Sequence, residues 1–566
     1  MKSEKDTPTV SEVLVHLFAE AGISHAFGLI GGAIAPFTKA LHHSPIDIVH
    51  CRHETGAAFA ALEAYFTTGR PGLVFTTTGP GLTNALTGLT AARWEGGKVV
   101  LVSAASPSRN RGRWAFQETG QLDLTGVFPS DRLFHYSALL DDVAALPVVA
   151  NRLARGLRSP GPFVAHLQLP LSIQGTPVPA SRLSRLAPPN RIAPDAASLD
   201  RLARLLNGSS FVIWAGFGAR ECASTLLSFA ERTGAPVMCS PRGKGAFPEN
   251  HPLYLGVTGL GGHASVDEYL AENRPDYVLV LGTRLGEMTS SWDGNMLPRE
   301  ALVHVDIDPD VFGAAYPDAT TIGVHSDAGE FLKELLHRGG TSFRSSAKAP
   351  TKDPFPKAPE PRSEGPVRPQ VLLEAMQSVM LDSGEPVTVM SEAGNAFAWA
   401  THWLRFSNRS KYRVSMGFGS MGHAVGAALG VALVGKQKGV GLLGDGAMLM
   451  NSEVSTAVQY GAPAVWVVLN DARYGMIHQG MQSIRYEPFA TEIPRADFAK
   501  MAEAMGAKGF KVVSERELTK TLEAAMREPG PVVVDVDIDG DEPAPARKRN
   551  ASLLGQGASS SKGGGA

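Results

Sequence analysis

Acidic and amide side chains follow two apolar segments in the last third of the chain. Val440 to Leu443 leads into Gly444-Asp445-Gly446, and Ala464 to Leu469 ends on Asn470 and Asp471. Carboxylate, amide and carbonyl oxygens are the ligands that Mg²⁺ prefers, and this ion commonly bridges to phosphate. Glycines let a backbone approach an anion closely, and a helix N-terminus adds aligned N–H groups. These residue types predict a site for a divalent cation beside a phosphate group.

The elements around these residues predict one βαβ unit. The two apolar segments have the composition of buried strands, and the stretch from about Ser452 to Tyr460 has helical character. Ligands of open parallel sheets bind at the carboxyl ends of strands, where these oxygen atoms would lie. An ordinary βαβ unit with a solvated Asp445 is the alternative, because short Gly-Asp patterns are common. The Asn-Asp pair after the second strand weighs against that alternative.

A further acidic residue, Glu54, lies near the start of the chain. The strand-like segment Ile46 to Cys51 precedes Arg52-His53-Glu54, and a helix of small residues follows. Glu54 therefore falls in the first turn of a helix, where a carboxylate also interacts favourably with the helix dipole. Position alone leaves both a structural and a catalytic role open.

Together these motifs resemble those of thiamine diphosphate-dependent enzymes, and most closely the acetohydroxyacid synthase group. The resemblance extends over nearly all of Ser11 to Asp539 and includes Gly79-Pro80-Gly81 and Gly417 to Gly422. It implies thiamine diphosphate and Mg²⁺ as cofactors. Glu54 would be the catalytic glutamate, hydrogen-bonded to the pyrimidine ring of the cofactor.

The resemblance also assigns the metal ligands. Asp445 and Asp471 would bind Mg²⁺ through their side chains, and Arg473 through its backbone carbonyl. Asp471 stands where the family pattern has Asn. The additional negative charge predicts that the metal still binds but with altered affinity.

Other residues are implied as parts of the same site. Gly419 would accept a hydrogen bond from the cofactor through its carbonyl, and Met421 would support the cofactor from below, since a flexible apolar side chain suits an irregular gap. Core packing is the alternative for Met421. The remaining implied cofactor-binding residues are Gly394, Asn395, Ala396, Gly444, Gly446, Ala447, Gly475 and Met476. Implied substrate-side residues are Ile30, Gly31, Phe116, Gln117 and His478, for which surface or packing roles are the alternatives.

The chain organisation predicts an α/β fold with three doubly wound parallel-sheet domains. These are a pyrimidine-binding domain at 8–175, a middle domain at 192–340 and a diphosphate-binding domain at 368–540. Pro-, Arg- and Lys-rich stretches at 176–194 and 341–367 have the composition of linkers. Residues 541–566 are expected to form a disordered tail. The Gly-x-Gly after the strand Phe211 to Ala215 is an incomplete nucleotide fingerprint. The family resemblance implies three alternatives for the middle domain: FAD, ADP or no ligand.

Composition limits the partners. The 566 residues contain 53 Lys plus Arg and 55 Asp plus Glu, a balance that gives no support for nucleic acid or a membrane surface as a partner. Cys51, Cys222 and Cys239 match no metal-binding spacing and fit a reducing compartment. The N-terminal segment lacks a signal-peptide apolar core, and no apolar run reaches the length of a membrane span. We therefore expect a cytoplasmic protein.

The resemblance implies decarboxylation of a 2-keto acid such as pyruvate and transfer of the acyl group to a carbonyl acceptor. In the family, Glu54 and Asp445 would meet across a subunit interface, which predicts a homodimer or homotetramer. Ala104, Met288 and Gly480 replace the Gln, Arg and Trp of the family pattern, which predicts a roomier, more apolar acceptor pocket. These departures favour a carboligase or lyase that forms or cleaves an acyloin with an acceptor other than pyruvate. A true acetolactate synthase and a non-catalytic binding or regulatory homologue are the alternatives.

Overall fold

The computed structural model of the chain describes residues 7–118, 133–178, 191–406, 410–435, 437–546 and 548–550. These residues form three six-stranded sheets, and every strand pair within them is parallel. Helices lie between successive strands, as parallel sheets require in order to bury both faces. The predicted α/β class with three parallel-sheet domains is confirmed.

The first domain has strand order β2-β1-β3-β4-β6-β5. Its strands are β1 (His25–Gly28), β2 (Asp47–His50), β3 (Gly72–Thr76), β4 (Lys98–Ala105), β5 (Tyr136–Leu139) and β6 (Phe163–Pro170). Its helices are α1 (Val10–Glu20), α2 (Ala35–His42), α3 (Glu54–Thr68), α4 (Pro80–Glu95), α5 (Leu146–Arg158) and α6 (Leu171–Gln174). Helix α1 begins after Thr9 because Thr9 and Glu12 form a reciprocal capping box.

The middle domain has strand order β12-β11-β10-β7-β8-β9. Its strands are β7 (Phe211–Ala215), β8 (Val237–Cys239), β9 (Tyr254–Val257), β10 (Tyr277–Leu281), β11 (Ala301–Asp306) and β12 (Thr321–His325). Its helices are α7 (Ala196–Leu206), α8 (Ala223–Thr233), α9 (Ala264–Glu272), α10 (Glu287–Ser290) and α11 (Ala328–Gly339). The chain order reverses between β7 and β10, which is where such a sheet can open a ligand crevice.

The third domain has strand order β14-β13-β15-β16-β18-β17. Its strands are β13 (Val387–Ser391), β14 (Lys411–Val414), β15 (Lys438–Gly444), β16 (Ala464–Asn470), β17 (Lys508–Val512) and β18 (Val532–Asp537). Its helices are α12 (Pro369–Met376), α13 (Asn395–Trp403), α14 (His423–Val434), α15 (Asp445–Met448), α16 (Glu453–Tyr460), α17 (Gly475–Ser483), α18 (Phe498–Ala504) and α19 (Leu518–Arg527). The central strand β16 is buried along its whole length, which explains its unbroken apolar sequence.

Helices α3 and α14 join the first domain to the third through direct backbone contact. A Cβ added to Gly426 would lie 2.6 Å from the carbonyl oxygen of Gly56, and one added to Gly430 would overlap the Ala60 carbonyl. Small residues are therefore required where the two helices cross. This explains why the stretches after Glu54 and after His423 are so rich in Gly and Ala.

Glu63 is a buried charge at the same contact. Its carboxylate accepts hydrogen bonds from Arg413 at 2.8 and 3.0 Å and contacts Nε2 of His423 at 3.0 Å. Burial alone would raise the pKa of Glu63, but Arg413 and His423 outweigh it and lower the pKa to about 2. The Arg413 guanidinium also stacks on Phe66, 3.8 Å from the ring centroid. The first and third domains thus share a charged, fully buried anchor.

The segment after β18 is packed against the fold as far as residue 550, in contrast to the disorder expected for 541–566. Asp541 pairs with Arg473 at 2.8 Å, and Lys548 pairs with Asp267 of the middle domain at 2.5 Å. The side chain of Ala546 is buried. The alternating charges of this segment have partners on two domains, which its composition alone did not reveal. Residues 551–566, and residues 179–190 of the expected first linker, lie outside the described residues.

Candidate active site

Asp445 is the first residue of helix α15 and lies at the carboxyl end of β15. Its side chain is buried, Oδ1 accepts from the N–H of Gly446 at 2.6 Å, and Oδ2 accepts from the N–H of Ala472 at 2.7 Å. Strands β15 and β16 pair in parallel with Gly444 opposite Leu469. The residues after both strands therefore reach the same edge of the sheet.

The side chains of Asn470, the last residue of β16, and of Asp471, which follows it, are held differently. The amide nitrogen of Asn470 donates to Asp535 and to the Ala496 carbonyl, both at 2.9 Å, whereas its buried Oδ1 has no hydrogen-bond partner. The charge of Asp471 raises the pKa of Asp445, so the two carboxylates interact. Asp445 and Asp471 are therefore the carboxylates at this edge, and the Asn470 oxygen stays the alternative that the sequence left open.

Each of the two carboxylates makes the ionised form of the other less favourable. Burial, and after it the charge of Asp471, raises the pKa of Asp445 to about 6. Burial also raises the pKa of Asp471, against the opposing effect of the Arg473 guanidinium. A divalent cation beside both would remove this penalty, and Mg²⁺ commonly takes one or two carboxylates with phosphate oxygens and water. The donor set fits Mg²⁺.

No larger metal-binding cluster competes with this pair. Within the described ranges, no group of three or more His, Cys, Asp or Glu side chains is placed to hold a metal ion. A cation at Asp445 and Asp471 would therefore need further oxygen atoms from the backbone, water or a bound phosphate group.

Arg473 contributes to this edge mainly through its side chain. The guanidinium donates to Asp471 at 3.0 Å and to Asp541 at 2.8 Å. Its backbone carbonyl, the atom expected as a metal ligand, accepts from the N–H of Gly475 at 2.9 Å. The ion pairs of Arg473 were not foreseen from the sequence, because Asp541 belongs to the segment expected to be disordered.

Glycines next to Asp471 leave space for a bound group. A Cβ added to Gly475 would lie 3.1 Å from both Asn395 and Asp471, so the structure brings these three residues together. Gly394 precedes helix α13 with a φ of 108°, which favours glycine. The space where a Cβ of Gly394 would lie is open to 4 Å.

Of the other predicted cofactor-binding residues, some border open space and some are packed in the core of the third domain. Open space also lies where a Cβ of Gly444 or Gly419 would be placed. Ala396 and Ala447 are buried in the packing of the third domain, and Met476 is partly buried against it. A ligand would reach the backbone of these three residues rather than their side chains.

Met421 lies close to Gly446, the residue that follows Asp445. The methyl group of Met421 lies 3.3 Å from the position of a Cβ on Gly446, and the Met421 side chain is 36% exposed. Gly419 has a φ of 68°, so the chain turns there in a conformation that favours glycine. The partial exposure of Met421 differs from a core-filling role and leaves its side chain free to contact a ligand.

Glu95 holds the segment that carries Gly419 and Met421. Its carboxylate accepts from the N–H of Gly417 at 2.7 Å and from the Ser415 hydroxyl at 3.2 Å. Arg242 lies at the ion-pair distance of 3.0 Å from Glu95, although its Nε–H does not point at the carboxylate with hydrogen-bond geometry. No local pattern indicated a role for Glu95, which acts from the far end of helix α4.

Glu54 begins helix α3 and is 6% exposed. Its Oε2 atom accepts from the amide of Asn84 at 3.1 Å, and Oε1 lies 3.4 Å from the position of a Cβ on Gly81. His53 caps the helix by accepting from the N–H of Thr55 at 3.1 Å. The orientation of Glu54 is thus fixed by Asn84 of helix α4, which was not among the predicted site residues.

Glu453 supports the residues before Glu54 from the third domain. Its carboxylate accepts from the N–H groups of Arg52 at 3.1 Å and His53 at 3.0 Å, and also from Thr456. Burial raises the pKa of Glu453, while these hydrogen bonds oppose the shift. No role for Glu453 was foreseen, and its place in the first turn of α16 was the sole signal.

The substrate-side candidates of the first domain lie around the turn Thr77 to Gly79. A Cβ on Gly31 would lie 2.7 Å from the Thr77 side chain, and the Gln117 amide oxygen accepts from Thr78 at 3.3 Å. Phe116 is 90% exposed and Ile30 is 54% exposed. Gln117 also lies against Gly79, and Gly81, two residues further on, lies close to Glu54.

His478 and Gly480 belong to the third domain instead. His478 contacts the Thr491 hydroxyl at 3.0 Å and lies 3.5 Å from the Arg473 guanidinium. A Cβ on Gly480 would lie 3.5 Å from the guanidinium of Arg549. The space expected to be apolar at Gly480 therefore has a cation beside it.

The other two departures from the family pattern are not open positions. Ala104 is buried in the core of the first domain, and Met288 packs against the core of the third domain. Neither side chain carries a group that could form a strong hydrogen bond or an ion pair. The less polar acceptor pocket expected from these two positions therefore stays a prediction.

The site residues of one chain form two separate clusters. The first cluster contains Glu54, Asn84 and the Thr77 to Gly79 turn, and the second contains Asp445, Asp471 and their neighbours. In the part of the chain that the structure describes, no hydrogen bond or ion pair joins one cluster to the other. Each cluster therefore presents only a part of the predicted set of residues.

The switch-point crevice of the middle domain is filled by protein. The N–H of Gly218 donates to the carbonyl of Gly282 at 3.0 Å, so the turns after β7 and β10 are in direct contact. The Phe217 ring is covered by the guanidinium groups of Arg242 and Arg413, at 4.3 and 4.9 Å from its centroid. This packing occupies the place where a nucleotide would bind a sheet of this topology.

The three cysteine thiols, of Cys51, Cys222 and Cys239, are free and buried. No helix among residues 7–118, 133–178, 191–406, 410–435, 437–546 and 548–550 is both long enough and apolar enough to cross a lipid bilayer.

Comparison with protein families gives three matches in chain order. Residues 8–124 match the thiamine pyrophosphate enzyme N-terminal TPP binding domain, residues 199–335 match the central domain, and residues 392–536 match the C-terminal TPP binding domain. Together the matches take up more than half of the chain. They correspond in position to the three sheets of the structure.

Several curated proteins are similar over nearly the full length. The mitochondrial acetolactate synthase of Schizosaccharomyces pombe is 29% identical over 93% of this chain and 83% of its own length. A probable acetolactate synthase large subunit of Methanocaldococcus jannaschii is 28% identical over 93% and 91%. The acetolactate synthase large subunit of Haemophilus influenzae is 29% identical over 91% of each chain.

Proposed function

Because this chain belongs to the thiamine pyrophosphate enzyme family, in its acetolactate synthase-like group, we propose that it decarboxylates a 2-keto acid such as pyruvate and transfers the acyl group to a carbonyl acceptor. The reaction class is carboligation, in the direction of acyloin formation or its reverse. The observation that most supports this proposal is the pair of the buried Asp445 and the partly buried Asp471 at the carboxyl edge of the third sheet. A glycine-lined space and Met421 lie beside that pair.

The residues that would hold the cofactors follow from the second cluster. Asp445, Asp471 and the carbonyl of Arg473 would bind Mg²⁺. When bound, thiamine diphosphate supplies an electron sink that lets a keto acid lose carbon dioxide and lets its acyl carbon join a carbonyl. The surrounding backbone would bind the diphosphate, and the residues concerned are Gly394, Asn395, Ala396, Gly444, Gly446, Ala447, Gly475 and Met476.

Three residues would act on the ring end of the cofactor. Glu54 presents Oε1 for a hydrogen bond, because Asn84 already engages Oε2. The carbonyl of Gly419 would accept a hydrogen bond, and Met421 would supply apolar support from a side chain that is partly exposed. A buried carboxyl group held in one orientation suits proton exchange with a bound ring nitrogen.

The separation of the two clusters supports an oligomer. We propose that the Glu54 cluster of one copy faces the Asp445 cluster of another, so that the smallest active unit is a homodimer. Apolar side chains exposed beside the two clusters would be covered in that assembly: Ile30, Phe116, Met421, Leu449 and Met450. A homotetramer is the alternative, and sedimentation velocity on the purified protein separates the two.

Acetolactate synthase activity with pyruvate alone is the second candidate function. It is favoured by the names of the relatives, which are acetolactate synthases or their large subunits. The Ala104 and Met288 environments favour a different acceptor, because both positions lack a polar selector. Arg549 beside Gly480 adds a cation that an anionic acceptor would approach. A non-catalytic homologue is disfavoured by the retained carboxylates Glu54, Asp445 and Asp471.

We further propose that the middle domain is structural and holds neither FAD nor ADP. Phe217, Arg242 and Arg413 fill the crevice at the switch point, and the adjacent turns are hydrogen-bonded to each other. The visible absorption spectrum of the purified protein checks the FAD part of this proposal, since a bound flavin would give a yellow band. A cytoplasmic location stays a prediction from the composition.

The test of the proposed function is a donor and acceptor screen. The protein, thiamine diphosphate and Mg²⁺ are incubated with pyruvate and other 2-keto acids, each paired with a panel of aldehydes and keto acids. We expect carbon dioxide release and a ligation product with at least one pair. Acetolactate from pyruvate alone would identify the second candidate.

Glu54→Gln is the matched control, because Gln keeps the size of the side chain and can still interact with Asn84. It should lower the rate about hundredfold or more, the usual range for a proton-transferring group. No product from any donor, or an unchanged rate in Glu54→Gln, would overturn the proposal.

A further inference from the structure

We propose that the Arg473 side chain neutralises Asp471, so that the cation site carries the net charge of one carboxylate, and that Asp541 holds Arg473 in place. This rests on the proposed function, since it assumes a divalent cation at Asp445 and Asp471. It deepens that function by assigning a positioning role to a side chain and to the segment after β18. The sequence-based expectation was that the additional charge of Asp471 would alter metal affinity.

The contact between Arg473 and Asp471 is short and shielded. The Arg473 Nε–H donates to Oδ2 of Asp471 at 3.0 Å, and the two side chains are 17% and 11% exposed. Oδ2 is therefore engaged, which leaves Oδ1 of Asp471 as the oxygen for a cation. A partly buried, hydrogen-bonded pair of this kind is screened by salt less than a surface pair.

The segment after β18 closes over this pair. A Cβ on Gly540 would overlap both the Arg473 guanidinium and the Asp471 carboxylate, so the backbone of Gly540 lies directly on them. Asp541 then accepts from Nη2 of Arg473 at 2.8 Å. The amide of Gln479 fixes the segment by donating to the carbonyls of Gly540 at 3.1 Å and Glu542 at 2.9 Å.

Among the residues that the structure describes, no other cation is as well placed to neutralise Asp471. Arg495 interacts with Asp471 at a distance, but its guanidinium is engaged by the carbonyl of Asn470 and by Asp537. His478 lies on the other side of the Arg473 guanidinium. The charged groups nearest the proposed cation are thus two carboxylates and one guanidinium, and the exposed Asp541 is bound to that guanidinium. Removal of either Asp471 or Arg473 alone changes the net charge of this group.

The experiment is a double-mutant cycle on Mg²⁺ affinity. Mg²⁺ is titrated by calorimetry into the full chain with saturating thiamine diphosphate, for wild type, Asp471→Asn, Arg473→Gln and the double variant. We expect Asp471→Asn to weaken Mg²⁺ binding about tenfold or more and Arg473→Gln to strengthen it, as expected for one charge within a few ångströms. The double variant should return to within about threefold of wild type, because the net charge is restored.

Two further variants test whether the effect on Mg²⁺ affinity is specific to Arg473 and its contacts. Asp471→Asn combined with Arg495→Gln is the matched control and should stay as weak as Asp471→Asn. Asp541→Asn, at a side chain that is 87% exposed, should shift Mg²⁺ affinity in the direction of Arg473→Gln by releasing the guanidinium. Thermal melting without ligands shows whether each variant is folded.

The outcomes separate this inference from the function on which it rests. Weaker Mg²⁺ binding in Arg473→Gln, or a double variant as weak as Asp471→Asn, would overturn the compensation while leaving the enzyme assignment intact. Absence of Mg²⁺-dependent thiamine diphosphate binding in wild type would overturn the proposed function itself.

Discussion

Replacement of Glu63 by Gln tests how strongly the first and third domains are joined. The carboxylate of Glu63 is fully buried and receives hydrogen bonds from Arg413 and His423. The fall of its pKa from 4.5 to about 2 corresponds to about 3 kcal/mol of stabilisation at 1.36 kcal/mol per pKa unit. Removal of one partner from a buried ion pair costs about 3–5 kcal/mol, which agrees with that value. We expect Glu63→Gln to destabilise the contact of helices α3 and α14 by about 3 kcal/mol.

Hydrogen exchange followed by mass spectrometry measures this locally, which is preferable to one melting temperature for a chain of three domains. Amides of α3 and α14 should exchange about a hundredfold faster in Glu63→Gln at pH 7, because 1.4 kcal/mol is a factor of ten. The pKa of Glu63 is lowered in the folded state, so its stabilisation is present above pH 4.5 and is lost as the pH falls toward 2. The difference between wild type and variant should therefore shrink over that range.

Glu523→Gln is the matched control for this experiment. Glu523 pairs with Arg527 at 2.8 Å one turn along a helix, but both side chains are exposed. Its loss should cost at most about 0.5 kcal/mol. Equal protection of α3 and α14 in wild type and Glu63→Gln would refute the reasoning. So would an effect of Glu523→Gln as large as that of Glu63→Gln.

Two other changes test the placement of the site residues. Glu453→Ala removes the acceptor for the N–H groups that precede Glu54 and should lower kcat about tenfold with little change in KM, whereas Glu453→Gln should keep part of the rate. Steady-state kinetics with the best substrate pair decide this, and wild-type kcat in both variants would exclude a positioning role. Gly430→Val should prevent close packing of α3 and α14, because even a Cβ overlaps the Ala60 carbonyl. Gly530→Ala, at a glycine of the third domain where an added Cβ meets no atom within 4 Å, is the comparison, and a wild-type melting temperature for Gly430→Val would contradict the packing argument.

The sequence was informative where local patterns carry the signal. The apolar segments before Asp445 and Asn470 predicted two neighbouring buried strands, and the structure has them as β15 and β16 in parallel register. The position of Glu54 in the first turn of a helix also followed from the residues alone. Both cases depend on short-range periodicity and on the rule that parallel strands place their carboxyl ends at one edge.

Contacts between distant parts of the chain were not predictable in this way. Glu95 reaches Gly417 across more than three hundred residues, and Glu453 reaches Arg52 across four hundred. Nothing in the local sequence of either glutamate indicates its acceptor role, since each looks like an ordinary helical residue. The segment after β18 was misjudged for a related reason: its charges suggest disorder until their partners on the folded domains are known.

The packing of that last segment bears on how the protein is shortened for laboratory work. A version ending at Asp539 would discard Asp541 and expose the Arg473 guanidinium, and it would also remove the carbonyls that bind Gln479. A stop codon after Asn550 would keep all of these contacts, including the pairing of Lys548 with Asp267. The safe point for truncation or for joining a fluorescent fusion therefore lies beyond residue 550, not at the end of the last strand.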